Sequence, residues 1–213
     1  MEFTLTKEQL LIQKMAQEIS EKAILPAAEQ IDKENKFPVE IMESLAELDL
    51  FGLPFKEVYG GAEAGYDCYV LAMEQIGKVA SGIAIAISVN CLGLGAIDKF
   101  GTEEQKKKYM PASCKGKEMA SFAFTEPGTG SDPKQITTTA VKKGDQYIIN
   151  GSKRFITNAD YKGPMVLFAN DSESGKPTAF IVEKFCPGYS VSKPWDKIGY
   201  HGGALLDVYF KDV

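Results

Sequence analysis

The stretch Phe122-Ala-Phe-Thr-Glu-Pro-Gly-Thr-Gly-Ser-Asp132 decides how the chain is read. A short apolar run passes into a Pro-Gly-Thr-Gly-Ser loop, which predicts a strand that ends in a turn. Gly128 and Gly130 let the main chain approach a ligand closely. Consecutive exposed N–H groups there would form an anion nest of the kind that takes phosphate. Thr125 and Ser131 add hydroxyls that donate or accept. Taken alone, the same residues more often describe an ordinary surface turn. The spacing is not G-x-G-x-x-G and no helical pattern opens from it, which excludes a dinucleotide-binding βαβ unit. A second stretch, Asn150-Gly-Ser-Lys-Arg-Phe-Ile-Thr-Asn158, sets an Asn-Gly hairpin turn before a strand with Phe155 and Thr157 on one face. A ring beside a hydroxyl suits a planar ligand, and ordinary strand packing is the alternative.

Working outward, the chain from Lys117 reads as β. Strands are expected at 119–124, 136–142, 146–149, 153–156, 165–169, 177–183, 188–192 and 204–210, with tight turns at Gly144-Asp145 and Asn150-Gly151. Short strands at this spacing imply a small barrel or sandwich. Upstream the texture is helical. Thr6-Lys-Glu-Gln9 and Thr102-Glu-Glu-Gln105 are capping boxes. Leu11, Met15 and Ile19 form a stripe at helical spacing. Pro38 suits a first helical turn leading to Ile41, Leu45 and Leu48, and Gly52 is expected to stop that helix. Residues 57–65 read as a loop, followed by helices at about 66–79 and 82–99. The second is so apolar that burial on all sides is expected. The fold class is therefore α+β and multidomain: an all-α N-terminal domain over 1–115, then a small antiparallel β-barrel domain over 116–213. Charge divides at the same place, from 12 basic and 18 acidic residues before it to 12 and 11 after it.

Composition narrows the function. The 213 residues are 44% hydrophobic and 25% charged, as in ordinary globular chains. No stretch reaches the ~18–20 uninterrupted apolar residues of a membrane span, and the N-terminus shows no signal-peptide pattern. The net charge of −5 argues against a broad nucleic-acid surface. Cys68, Cys91, Cys114 and Cys186 have neither metal nor framework spacing and read as reduced cytoplasmic thiols. A lone histidine, His201, excludes a multi-histidine metal centre.

Together the two stretches are more specific than either alone. Thr125-Glu-Pro-x-x-Gly-Ser-Asp132, then Lys153-x-Phe155-Ile-Thr-Asn158, resembles the flavin-binding signature of the acyl-CoA dehydrogenase family. Tyr59-Gly-Gly61, Phe100-Gly-Thr-Glu-Glu-Gln-Lys-Lys-Lys-Tyr109, Phe180-Ile-Val182, Pro187-Gly188 and Phe210-Lys-Asp-Val213 extend the resemblance over the whole chain.

That resemblance implies FAD as cofactor. It implies flavin contacts at Phe122, Phe124, Thr125, Gly130, Ser131, Phe155, Ile156 and Thr157. Thr125 would bond the pyrimidine edge and Gly130 and Ser131 would meet the pyrophosphate. Phe155, at a position often Trp, would pack on the ring, and Thr157 would sit at N5. Ser131 would also lie near the acyl-CoA substrate. The implied reaction takes an α proton and a β hydride from an acyl-CoA thioester and yields a trans-2-enoyl-CoA. The general base is usually a Glu of a C-terminal helical domain. No Glu here matches it, so it is expected beyond Val213, that domain being absent and this chain inactive by itself. Glu126 reads as structural. Electron-transferring flavoprotein is the implied acceptor, a homo-oligomer (tetramer or dimer) the implied assembly and the cytoplasm the implied location. An acyl-CoA oxidase or flavin monooxygenase of the same fold, or a non-catalytic piece that holds flavin or acyl-CoA, are the alternatives. Ser88, Asn90 and Leu92 are candidate walls of the acyl pocket. Lys106-Lys107-Lys108 reads as a solvated helix face, Cys91 as a small buried hydrophobe and Trp195 as a packing anchor.

Overall fold

The computed structural model describes residues 4–213. They divide into two compact units, residues 4–118 with Lys197–Gly203, and Met119–Asp196 with Ala204–Val213.

The first unit is helical. Helix α1 (Lys7–Ile19) starts at Thr6, whose hydroxyl accepts from the Gln9 N–H while the Gln9 side chain accepts from the Thr6 N–H. A π-helical turn, Ser20–Ile24, passes into α2 (Leu25–Glu34), which ends on left-handed Asn35. Helix α3 (Val39–Glu47) begins after Pro38, which caps it rather than entering it. It also stops short of Gly52, because Asp49 turns left-handed at φ 55°. Gly52 instead permits close packing: a Cβ there would meet Cys114 Cβ and O at 2.9 Å.

Helices α4 (Gly65–Val79), α5 (Ser81–Phe100) and α6 (Glu103–Cys114) follow, α6 opened by the Thr102 capping box. Helix α5 is long and apolar enough, by length and composition, to cross a membrane, although Ser88, Asn90 and Asp98 interrupt its apolar run. Half of its most apolar window is buried within the protein, where α4 and α6 pack on it. Nor is it buried all round. Ile85 and Leu92 are exposed and Ser88 is half-buried, along an i, i+3, i+7 stripe.

The second unit is a seven-stranded sheet built from β1 (Ser121–Ala123), β2 (Thr139–Lys143), β3 (Gln146–Thr157), β4 (Pro164–Asp171), β5 (Pro177–Glu183), β6 (Tyr189–Val191) and β7 (Leu205–Phe210). Its order is β1-β4-β2-β3-β7-β6, with β5 also on β4. Two expectations are corrected. The sheet is mixed, since β4 runs parallel to β1 and β2 while the other pairings are antiparallel. It is also not a closed barrel: among the described residues no ladder joins β1 to β6.

Gly144-Asp145 forms the expected two-residue turn, with Gly144 at φ 62°. Asn150-Gly151 does not turn. It lies inside the continuous β3, which merges two expected strands. There Gly151 lets the chains approach, because a Cβ would meet Thr138 Cα at 2.8 Å. The core is formed by alternate side chains, among them Ala123, Ala140, Ile149, Ile156, Leu167, Val182, Leu206 and Val208.

Candidate flavin-type binding site

The loop after β1 is fastened from below by a buried ion pair. The Thr125 carbonyl accepts from the Arg154 N–H at 2.8 Å, so the end of β1 lies along β3. Glu126 and Thr129 exchange main-chain bonds at 2.9 and 3.1 Å and close the Pro127-Gly128 turn. The Glu126 carboxylate faces only donors. Its Oε1 accepts from Lys153 Nζ at 2.8 Å and the Thr138 N–H at 3.0 Å. Its Oε2 accepts from the Thr137 N–H at 2.7 Å and hydroxyl at 2.6 Å. Lys153 also donates to the Phe124 carbonyl at 3.1 Å.

Lys153 is 0% exposed and Glu126 3%. Burial pushes the Glu126 carboxyl up, but the bonds from Lys153, Thr137 and Thr138 outweigh it and bring it down to about 2. Burial pulls the Lys153 ammonium below its ordinary value, with Glu126 opposing. A carboxylate held ionised by four donors is a fastening and not a base. Above it the loop is open: a Cβ on Gly128 or Gly130 would meet nothing within 4 Å.

Strand β3 carries the other half. Its register against β7 shifts between Lys153 and Ile156, a bulge at which Phe155 adopts φ 61° and stands 49% exposed. Thr157 is 8% exposed, and neither its hydroxyl nor those of Thr125 and Ser131 meets a hydrogen-bonding partner among the described residues. Phe122 and Phe124 are half-buried, and both rings pack on Phe168, at 5.3 and 5.4 Å between centroids. Ile156 differs from the other candidates: its side chain lies in the core beside Leu206, which leaves only its main chain for a ligand. Ser131 is exposed on the loop. Thus Phe124, Thr125, Arg154 and Phe155 are brought together through the bond between β1's exit and β3, while Gly130 and Ser131 stand farther out on the same loop.

Several residues read one way in the sequence acquire a definite partner. His201 Nδ1 meets Asp32 Oδ1 at 2.6 Å and Nε2 meets the Lys197 carbonyl at 2.8 Å. Lys106 is not simply solvated, since its ammonium pairs with Glu103 and lies 5.8 Å from the Tyr59 ring centre. Asn90 is buried and donates to the Phe51 and Ser113 carbonyls, so it supports the helix packing rather than walling a pocket. Burial pushes the Cys91 thiol up to about 12, which keeps it protonated. The sequence reading missed the role of Lys153 and of the Arg154, Asp207 and Trp195 cluster. Lys153 was visible as a letter of the second motif, but its partner lies 27 residues earlier.

The family description for the acyl-CoA dehydrogenase N-terminal domain matches residues 6–117, and that for the middle domain matches 121–213. The chain belongs to the acyl-CoA dehydrogenase family. An acyl-CoA dehydrogenase of Bacillus subtilis (strain 168) is 39% identical over 212 residues, 98% of this chain and 56% of that protein. A chain of the structure described as electron transferring flavoprotein of Acidaminococcus fermentans superposes with a TM-score of 0.94 at 40% identity, covering 100% of this chain and 57% of that one. An acyl-CoA dehydrogenase complexed with FAD from Bacillus anthracis gives 0.89 at 31%, covering 98% and 36%. The chain spans about half the length of the curated relatives it matches.

Proposed function

We propose that this chain is the helical and flavin-binding part of an FAD-dependent acyl-CoA dehydrogenase, with domains over 1–115 and 116–213. The observation that carries the reading is the set of hydroxyls, Thr125, Ser131 and Thr157, that meet no partner among the described residues, on segments whose backbone is otherwise tied down. These donors, the open glycine face at Gly128 and Gly130 and the projecting Phe155 ring fit a planar, phosphate-bearing cofactor. Thr125 and Thr157 would donate to the ring system, Gly130 and Ser131 to the pyrophosphate, and Phe155 would cover a ring face. The main chain at Ile156 and the Phe122 and Phe124 side chains would complete the wall, and Ser131 would also meet acyl-CoA. FAD, when bound, supplies a two-electron acceptor for hydride.

The residues' own part is to bind, orient and exclude water. None of them is assigned the proton abstraction: Glu126 is committed to Lys153, and the general-base Glu is placed in further chain of the kind the relatives possess. The 213 residues by themselves are therefore expected to hold flavin without turning over. Electron-transferring flavoprotein as acceptor is supported by the superposition on the Acidaminococcus fermentans structure. A cytoplasmic location, supported by four free thiols, and a homo-oligomeric assembly are parts of the same proposal.

The test is a flavin titration followed by anaerobic mixing with acyl-CoAs of several lengths. Saturable FAD binding is expected, with no bleaching of the oxidised band until the chain is extended to the relatives' length. Failure to bind FAD overturns the reading, and bleaching by the 213 residues overturns the assignment of the base. Reoxidation of the extended, reduced protein by air against electron-transferring flavoprotein separates an oxidase or monooxygenase from a dehydrogenase.

A further inference from the structure

Asp207, on β7 opposite the bulge, is 6% exposed and receives three donors. Arg154 Nε and Nη2 both reach its Oδ2, at 3.3 and 3.2 Å. The Trp195 indole N–H reaches its Oδ1 at 2.9 Å. Main-chain N–H groups fix both ends of this cluster, since that of Trp195 donates to the Leu205 carbonyl at 2.8 Å and that of Asp207 to the Ser192 hydroxyl at 3.0 Å. The guanidinium lies 5.2 Å from the Trp195 ring centre and 5.9 Å from that of Phe155. Phe155 and Trp195 meet edge to face, 5.4 Å apart at 62°. An aromatic residue at φ 61° is conformationally unfavourable and needs neighbours that fix it. The neighbours here are Arg154 and Trp195, and one carboxylate holds both.

We propose that Asp207 is a positioning residue that, through Arg154 and Trp195, holds the Phe155 ring in the place from which it covers the flavin. The inference rests on the flavin reading above. It gives Trp195 a role beyond packing: its N–H is spent on Asp207, and its ring meets Phe155 edge to face. Because Trp195 is the only tryptophan in the chain, its emission reports on this cluster alone.

The experiment compares wild type, Asp207→Asn, Trp195→Phe, Phe155→Ala and the Asp207→Asn/Phe155→Ala double variant. FAD affinity, the visible circular dichroism of bound flavin and its midpoint potential are measured for each. FAD is expected to quench Trp195 emission in wild type. Asp207→Asn is expected to weaken FAD binding about tenfold, the scale of one lost charge-assisted bond, and to shift the dichroism and potential. Trp195→Phe, which keeps a ring but drops the N–H, is expected to move them in the same direction by less. In the Phe155→Ala background, Asp207→Asn is expected to add nothing. A merely structural Asp207 lowers melting temperature but leaves the potential and dichroism as they were, and that result overturns the inference. So does full additivity with Phe155→Ala. Should Asp207→Asn not fold, wild-type affinity and dichroism in Trp195→Phe overturn it equally. No binding by wild type sinks the flavin reading itself, which is distinguishable from an unchanged variant of a protein that binds.

Discussion

At the scale of single residues, the Glu126–Lys153 pair decides how the flavin-side loop is held. Its stabilising value lies in not being broken. A buried pair replaced as a whole is often neutral, whereas removing one partner strands the other charge. Lys153→Met is therefore expected to cost about 3–5 kcal/mol, read from urea unfolding. A loss below about 1 kcal/mol, as for exposed pairs, would show that the pair is hydrated. The pH dependence has a definite sign. Glu126 is depressed from 4.5 to about 2 on folding, so its contribution is complete above 4.5 and is lost as pH falls from there through about 2. Glu126→Gln should flatten that part of the acid stability curve. An unchanged curve would mean that other carboxylates account for it. Nothing in the sequence around Lys153 marks it as buried, because its neighbours Ser152 and Arg154 are polar. Only its position on β3, facing the Glu126 carboxylate, does so.

At the scale of elements, β3 shows how one dipeptide can mislead. Asn-Gly is the strongest short signal for a hairpin turn, yet Asn150-Gly151 continues a strand of 12 residues. The strand's partners on both sides outweigh the local preference, and Gly151 at φ 148° serves the approach of Thr138. Gly151→Ala is thus expected to destabilise by about 1–3 kcal/mol, the range for overpacking. Pairing it with Thr138→Ala should not restore stability, because the Thr138 Cα at 2.8 Å obstructs as much as the side chain does. Restoration in the double variant, measured by thermal unfolding, would show that the hydroxyl alone was in the way. The Gly144-Asp145 turn, by contrast, was legible because nothing competes with it: Lys143 and Gln146 pair directly across it.

At the scale of the whole molecule, the segment Lys197–Gly203 leaves the strands on either side of it in sequence and belongs to the helical unit. Within that unit His201 faces a carboxylate and a carbonyl through its two ring nitrogens, and Gly202 N–H donates to Asn35 Oδ1. Neither Asp32 nor a carbonyl can donate, so both nitrogens must carry protons and the ring is cationic when both bonds are made. The Lys197 carbonyl and then Asp32 raise the histidine above its ordinary 6.5, against burial and the nearby Lys197 charge. The contribution of this contact is therefore full below 6.5 and is lost as pH rises through the higher folded-state value. Imidazole proton resonances should titrate above 6.5 in the folded protein, and Asp32→Asn should bring the midpoint down. A midpoint at or below 6.5 in the unaltered chain would show the contact to be absent in solution.

The sequence by itself determined the helical half, the β half and the two stretches that carry the family signature. Capping boxes, helical stripes and alternating strands are local patterns, and each is complete within a few residues. Only the tertiary structure decided that the sheet is mixed and open, that β3 runs through Asn150-Gly151 and that α5 leaves Ile85 and Leu92 exposed. It also decided which charges are buried. Glu126 and Lys153 are 27 residues apart, and Arg154 and Asp207 are 53 apart. Their pairing depends on strand order and on one bulge, which no local pattern encodes.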